Sequence, residues 1–275
     1  MKKIALTSVL AVFAATGANA ANVIDGNPLY RPTLKHFASI TTLTTGENSY
    51  ANPRLAYGYD LTEDFMYGFT DHFALGVETT VSYDTDNANG SDLDHAHQLS
   101  LENVYVNGSY RFMDVCAFKA DVLASVGREF VMNDGLHTMA TVWGLGVKAG
   151  LDLGDFTIAG TIGVHDIDMN VRLAEKGWLA WGIDAEMWTL SAEVEAQYVI
   201  NEDFNVVAGA KYMFDVSHDG YFEDLQQMNN PLVGKAGVNY NFDETKYVGA
   251  YATYDVNAEH QSKAWGVSVR FGIDF

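Results

Sequence analysis

Histidine is the side chain that most often transfers protons in catalysis at neutral pH, and the chain carries eight histidines spread along its length. A hydrolase would also need a serine or an acid held within hydrogen-bonding reach of one of them. His165 and Asp166 form the best candidate pair, at the end of a predicted strand. No segment supplies a recognisable set of serine, histidine and acid, so we expect no enzyme activity and no cofactor.

Metal ligation is the second chemistry that the residue types suggest, because residues 84–97 are rich in Asp and Asn and include His95 and His97. When Gly90 is aligned with the glycine of an EF-hand loop, Thr85 takes the first ligand position and Ala96 the last. Neither supplies the carboxylate that this loop needs at its ends. The segment is better explained as a solvated acidic loop with an Asn-Gly turn, and we expect no metal site in it.

The most informative constellation is a set of charged residues of both signs, which we place on the lumen side of predicted strands. Its members are Glu78, Glu102, Arg111, Lys119, Lys148, Glu193, Glu195, Lys211, Lys235 and Arg270. Opposed acidic and basic rows in an open pore set a transverse field that tunes ion selectivity. In a narrow or plugged barrel the same residues would pair with one another and fill the interior.

Strands with two unlike faces must position these side chains. In the last segment one face carries Trp265, Val267, Val269, Phe271, Ile273 and Phe275, and the other carries small or polar residues. A soluble sandwich shows the same alternation, so connection lengths decide between the two folds. Tight connections at residues 70–72, 113–115, 152–155, 201–203 and 243–245 alternate with long ones at 45–52, 84–97, 129–137, 166–177, 215–230 and 256–262. Short periplasmic turns opposite long external loops are typical of outer-membrane barrels.

The segments between these connections predict an all-β fold, a transmembrane antiparallel up-and-down β-barrel of about twelve strands with both termini on the periplasmic side. Ten or fourteen strands are the alternatives. A turn at residues 60–64 would divide the stretch 54–69, and a turn at residues 185–189 would divide the long stretch 178–200. The stretch 34–43 is a third weak point of the strand count.

The first twenty residues have the pattern of a secretory signal peptide: Lys2 and Lys3, an apolar run, and small residues before a cut after Ala20. We therefore expect residues 1–20 to be removed and residues 21–275 to form a single barrel domain. Residues 21–33 form a short polar lead before the first strand.

The charge balance narrows the range of partners. Formal net charge is -20, with 16 basic and 36 acidic residues, and loss of Lys2 and Lys3 brings the mature chain near -22. Nucleic acid is excluded as a partner, because phosphate binding depends on basic patches. An acidic surface facing anionic lipopolysaccharide would instead be bridged by divalent cations at the acidic loops.

Aromatic residues lie near both ends of the predicted strands, as interfacial girdles do. Together with the signal and the strand rhythm, the segment from Tyr67 to Glu78 and the C-terminal Arg270-Phe-Gly-Ile-Asp-Phe275 resemble porin-like outer-membrane proteins of Gram-negative bacteria. The resemblance covers essentially the whole mature chain. It implies an outer-membrane location, contact with outer-membrane lipid, and recognition of Phe271, Ile273 and Phe275 by the barrel-assembly machinery.

Barrel size bears on function. Eight-stranded barrels are filled by side chains, whereas sixteen-stranded porins hold an aqueous channel. Twelve strands fall between these limits, and the many small interior residues favour a narrow water-filled pathway. We expect a passive channel for ions or small hydrophilic solutes. The alternative is a closed structural or surface-interaction barrel that presents acidic extracellular loops.

Overall fold

The computed structural model describes residues 26–47, 57–85, 98–133, 136–173, 182–220, 230–243, 245–257 and 265–275. The predicted signal peptide and most of the acidic loop 84–97 lie outside these residues, so signal cleavage and cation bridging by that loop stay predictions.

Twelve antiparallel strands form a closed barrel, which confirms the predicted fold. The strands are β1 (Phe37–Glu47), β2 (Tyr57–Gly68), β3 (Phe73–Thr85), β4 (Gln98–Val115), β5 (Phe118–Asn133), β6 (Leu136–Asp152), β7 (Phe156–Leu173), β8 (Gly182–Val199), β9 (Phe204–Gly220), β10 (Leu232–Asp243), β11 (Lys246–Asp255) and β12 (Trp265–Asp274). Each strand pairs with its neighbours in sequence, and β12 closes the barrel on β1 from Ala38↔Asp274 to Glu47↔Trp265.

The alternative turns predicted at residues 60–64 and 185–189 are both wrong, because β2 continues through the first and β8 through the second. β8 instead shows a register irregularity against β9 at Trp188 and Thr189. The extra residue is Val216 on β9, and a bulge of this kind bends a strand without ending it. β8 itself is one unbroken strand of 18 residues.

Two predicted long loops are largely strand. β5 and β6 pair as far as Asn133↔Leu136, and β6 and β7 as far as Leu136↔Leu173. The polar residues in these stretches do not end the strands. Their backbone groups still pair with the neighbouring strand beyond the apolar band. Strands β4 to β9 have 16 to 18 residues, against 10 to 13 for the others, so this half of the wall is taller.

The two faces of each strand meet different environments. In β3 the outward Leu75 and Val77 are 36% and 46% exposed, whereas the inward Ala74 and Glu78 are 1% and 2% exposed. The outward row forms an apolar band for lipid, and the inward row carries the polar groups. Aromatic rings flank the band beside the short turns at Phe112, Phe118, Phe156, Phe204, Phe242 and Phe275, all of them exposed.

One carboxylate interrupts the apolar band. Glu63 lies on the outward face of β2 between Leu61 and Phe65, which are 48% and 50% exposed. Its two oxygens accept hydrogen bonds of 2.6 Å from the hydroxyls of Ser39 and Thr41 on β1. Since lipid offers no donor, these hydroxyls satisfy the carboxylate within the sheet. In the described part of the chain, no helix is long and apolar enough to cross a membrane.

Candidate functional site

The inner face of the barrel collects most of the predicted charged residues. Glu78, Arg111, Lys148, Glu195, Lys211 and Arg270 are buried there, and Glu193 and Lys235 are partly buried on the same face. Cross-strand registers such as Glu193↔Lys211 and Lys148↔Asp121 bring acidic and basic positions side by side.

Two predicted members of the set stand apart from these cross-strand pairs. Glu102 is skipped in the register between β3 and β4, where Val81 pairs with Leu101 and Thr80 with Asn103. A bulge residue leaves the strict alternation, so the inward position belongs to Asn103, which is fully buried. Lys119 lies beside a periplasmic turn, where its Nζ is 2.8 Å from Asp152 Oδ2.

Between β8 and β12 the cations and anions compensate one another. Lys235 Nζ forms an ion pair with Glu195 across the lumen face, and both side chains are at least 89% shielded. The guanidinium of Arg270 lies 4.6 Å from the centre of the Tyr251 ring, an arrangement in which the ring face stabilises the cation. We call this region, with Glu193, Glu195, Lys211, Lys235 and Arg270, the mixed wall.

The opposite region, on β2 to β5, is rich in acids, and we call it the acidic wall. Asp60, Asp64, Glu78 and Glu129 lie on its inner face, and within the described residues none of them forms an ion pair with lysine or arginine. Asp60 accepts a 2.6 Å hydrogen bond from Ser82, and Glu129 accepts one from the Tyr105 hydroxyl. Both oxygens of Asp64 are buried without a hydrogen bond.

The periplasmic end of the lumen is occupied by residues 26–36, which precede β1. Leu29 is 2% exposed. Arg111 donates a 2.7 Å hydrogen bond to the Leu29 carbonyl, and Lys148 donates a 3.2 Å bond to the Pro28 carbonyl. Arg111 also binds Asp121 through two nitrogens, at 2.8 and 3.1 Å. Two of the predicted lumen cations therefore fix this N-terminal segment.

Further contacts tie the N-terminal segment to the rim. Tyr30 donates to Asp274, and Arg31 donates to the Asp71 carbonyl. Burial lowers the pKa of Arg31, and the nearby Arg111 lowers it further, whereas neighbouring aspartates raise it. A methyl group at Gly68 would lie 2.0 Å from the Thr33 carbonyl oxygen, so glycine is needed where the segment crosses β2.

The sequence did not predict this placement. A thirteen-residue polar lead with prolines gives no periodic signal, although the apolar Leu29-Tyr30 pair within it is the one feature that could have suggested a buried position.

The inner glycines do not leave the open space that we expected. The Tyr105 ring lies over its partner Gly127, and the Tyr251 ring lies over its partner Gly237, where a methyl group would come within 2.3 and 2.2 Å of ring carbons. Small residues on one strand thus accommodate large ones from the next. Asn103, Asn205 and Asn239 are all 0% exposed, which indicates a lumen packed with polar side chains at these positions.

The two residues of the candidate histidine–acid pair, His165 and Asp166, lie on opposite faces of β7. His165 is on the inner face, where its Nε2 lies 3.2 Å from Ser191 Oγ, whereas Asp166 pairs in register with the outward Trp143. Adjacent residues of a strand point to opposite faces, so the two side chains cannot act together as a dyad. Among the described residues no group of three or more His, Cys, Asp or Glu side chains could hold a metal ion.

Comparison with solved structures finds barrels of the same fold. The chain is similar to the translocator domain of the autotransporter NalP from Neisseria meningitidis, with 12% identity, coverage of 100% of this chain and 98% of that chain, and a TM-score of 0.62. It is also similar to an outer-membrane channel from Pseudomonas putida F1, with 11% identity, coverage of 89% of this chain and 97% of that chain, and a TM-score of 0.63. For the NanC porin the identity is 12%, the match covers 87% of this chain and 98% of that chain, and the TM-score is 0.50.

No protein-family model matches the chain, and no curated protein sequence matches it. Structural likeness at these identities establishes the fold. Together with the apolar outer band and the aromatic rings that flank it, this fold places the chain in the bacterial outer membrane.

The predicted assembly signal lies at the end of β12. Phe271 and Phe275 are 40% and 62% exposed, and the backbone of Phe275 forms hydrogen bonds of 2.7 and 2.8 Å with that of Phe37 on β1. The C-terminal residue thus takes part in closing the barrel. Its recognition by assembly machinery stays a prediction.

Proposed function

We propose that this barrel is a channel for ions or small hydrophilic solutes, and that the N-terminal segment closes its periplasmic end. The observation that carries the proposal is the way the segment is held. Arg111 and Lys148 bind main-chain carbonyls of Leu29 and Pro28, at 2.7 and 3.2 Å. Residues 34–36 are bridged to Gly68 on β2, but residues 26–33 join no strand. They can therefore leave the lumen without breaking the wall, and their departure would expose charges of both signs.

A second candidate, the closed structural or surface-interaction barrel, is supported by the burial of the lumen side chains. Glu78 and Lys148 are 2% and 4% exposed, whereas the walls of a permanently open pore contact water. In this case the acidic extracellular loops would carry the function, with divalent cations bridging them to lipopolysaccharide. We assign no reaction to either candidate, since the histidine–acid pair that the sequence offered faces two different environments.

Single-channel conductance of the refolded mature protein in planar bilayers tests the channel. We expect the intact chain to open rarely and a variant lacking residues 21–33 to show stable steps, because the deletion removes the buried Leu29 and its two anchoring hydrogen bonds. Leu29→Ser in the full-length chain is a milder variant that keeps every strand and should raise the open probability. Leu153→Ser, at a 60% exposed position of a periplasmic turn, is the matched control.

Each result has a clear meaning. Silence from both variants, when heat-modifiable migration shows that they are folded, would contradict the channel and favour the closed barrel. Equal conductance of the intact chain and both variants would support a channel but contradict closure by the segment. In a conducting variant, neutralising Lys211 should shift the reversal potential towards cation selectivity.

A further inference from the structure

One arginine lies on the outer surface of the barrel. Arg128 on β5 is exposed and follows Val126 on the outward side, whereas the neighbouring Glu129 faces inward and is 3% exposed. Among the lysine and arginine side chains that the structure describes, Arg128 is the only one on the outward face away from the periplasmic turns. It forms no ion pair with a described side chain. Its partner is therefore whatever lies against the outside of the wall at its height.

The depth of Arg128 in the membrane follows from the strand geometry. Arg128 lies ten residues along β5 from Phe118, an aromatic residue beside a periplasmic turn. At about 3.3 Å per residue and a strand tilt of about 40°, this separation is about 25 Å along the barrel axis. The apolar band of an outer-membrane barrel is also about 25 Å tall. Arg128 therefore lies at the outer border of the band, at the level of the lipid headgroups of the outer leaflet.

Two tryptophan rings lie close to this level on neighbouring strands. Trp143 on β6 is 37% exposed and pairs in register with Val126, one outward position below Arg128. Its ring centre lies 5.0 Å from that of Trp188 on β8, at an interplanar angle of 84°. The Trp188 indole donates a 2.8 Å hydrogen bond to Glu186. The two rings therefore hold a fixed mutual orientation on the outside of the wall.

A row of polar positions runs across the outer wall at the level of Arg128. Arg128 pairs with Thr141 on β6. Thr141 pairs in turn with Asp168 on β7, which pairs with Glu186 on β8. Because neighbouring strands are about 4.8 Å apart, the row from Arg128 to Glu186 spans about 14 Å. The cation and a hydroxyl stand at one end of the row, and two exposed carboxylates stand at the other. An anionic group therefore fits the arginine end, and hydroxyl groups fit the carboxylate end.

We infer that the outer wall of β5 to β8 binds the headgroup of a phosphorylated glycolipid of the outer leaflet, lipopolysaccharide, with a phosphate on Arg128. A guanidinium binds phosphate through paired charge-assisted hydrogen bonds, and the Thr141 hydroxyl is a further donor. At the other end of the row, sugar hydroxyls donate to Asp168 and Glu186. This contact is direct, unlike the cation bridging expected at the acidic loops. It goes beyond the proposed function, since binding at the outside of the wall needs no conducting path.

The alternative explanation is an ordinary aromatic girdle, because tryptophans are enriched at both membrane interfaces. A girdle anchors a barrel in any lipid, whereas the proposed site distinguishes lipids by phosphate and by sugar. Lys246 gives a matched comparison for the arginine. It is exposed beside a periplasmic turn, so its loss changes the net charge by the same amount at the opposite end of the barrel.

Native mass spectrometry of the mature protein refolded in detergent tests the site, with lipid A that carries both phosphates as the probe. EDTA is present, so that divalent cations do not bridge the lipid to the acidic loops. We expect Arg128→Gln to raise the Kd of the first bound lipid A about tenfold, because charge-assisted hydrogen bonds to the phosphate are lost. Lys246→Gln should leave this Kd unchanged. On the wild type, dephosphorylated lipid A and phosphatidylglycerol should each bind several-fold more weakly, because the first lacks the phosphate and the second lacks the sugars.

Equal Kd values for the wild type and Arg128→Gln would overturn the proposal. An equal rise in Lys246→Gln would also overturn it, because binding would then follow the net charge and not the position of the arginine. If phosphatidylglycerol or dephosphorylated lipid A bound the wild type as tightly as lipid A, the wall would not recognise a phosphorylated glycolipid. Heat-modifiable migration verifies that each variant is folded, and the comparison of lipids on the wild type needs no variant.

Discussion

The acidic wall and the mixed wall enclose the same lumen, yet they handle buried charge in different ways. In the mixed wall Lys235 neutralises Glu195 through a direct ion pair, and the Arg270 guanidinium lies against the Tyr251 ring. In the acidic wall Asp64 forms no ion pair and neither of its oxygens has a hydrogen-bond donor, although the charge of Arg270 acts on it from across the barrel seam. The difference indicates that the mixed wall holds its acids through direct contacts with cations, whereas the acidic wall holds its acids through hydroxyl donors or, at Asp64, through no direct contact.

This comparison predicts opposite consequences when a charge is removed from each wall. Loss of one partner from a buried ion pair leaves an uncompensated charge, which destabilises a fold strongly. Removal of a charge that was never compensated costs nothing and can stabilise the fold. Three substitutions test the contrast, in order of decreasing effect.

Lys235→Met should have the largest effect. We expect a loss of about 3–5 kcal/mol in the free energy of unfolding, because Glu195 would stay buried without its cation. Reversible urea unfolding in lipid vesicles, followed by tryptophan fluorescence, measures the loss. The double variant Lys235→Met/Glu195→Gln should recover most of it.

The turn ion pair of Lys246 with Asp243, at 3.6 Å and about half-exposed, provides the control for Lys235. Lys246→Met should change stability little, since solvent screens exposed pairs. Equal losses in the two single variants would contradict a special role for burial in the mixed wall.

Thr41→Val tests the same principle on the lipid side of the acidic wall. Glu63 and Asp64 are neighbours on opposite faces of β2, and Glu63 depends on hydroxyls from Thr41 and Ser39. Loss of one hydrogen bond to a charged group should cost about 1.5–3 kcal/mol. Thr79→Val, which removes a 3.0 Å bond to a backbone carbonyl on the same outer face, should cost less. A larger loss for Thr79→Val in the same vesicle unfolding assay would contradict ionic character for Glu63.

How far the sequence predicts this molecule depends on the kind of signal that each region carries. The alternation in β12 and the tight turns predict the barrel and its strand number, because a side chain that faces lipid and one that faces the lumen differ in type. The same alternation places Lys148, Lys211 and Glu195 on the inner face. It cannot place Glu102, which the ladder between β3 and β4 skips.

The contacts that side chains make across the lumen leave no periodic pattern in the sequence. Nothing in the spacing of Arg111 and Lys148 indicates that they bind carbonyls of residues 28 and 29, because backbone acceptors are the same at every position. The filling of glycine positions by Tyr105 and Tyr251 depends on cross-strand register, which the sequence leaves open. The difference between the two walls therefore became visible only once the strands were paired.

Asp64→Asn should have the smallest effect and the opposite sign to Lys235→Met. In the presence of a chelator the variant should be as stable as the wild type or more stable, by at most about 2 kcal/mol, because an isosteric amide needs no counter-charge. The same urea assay, run with EDTA, measures the difference, and Asp60→Asn serves as the control, because the Asp60 carboxylate accepts a hydrogen bond from Ser82. A clear loss of stability for Asp64→Asn in EDTA would mean that the carboxylate is already compensated within the chain, and the contrast between the walls would then disappear.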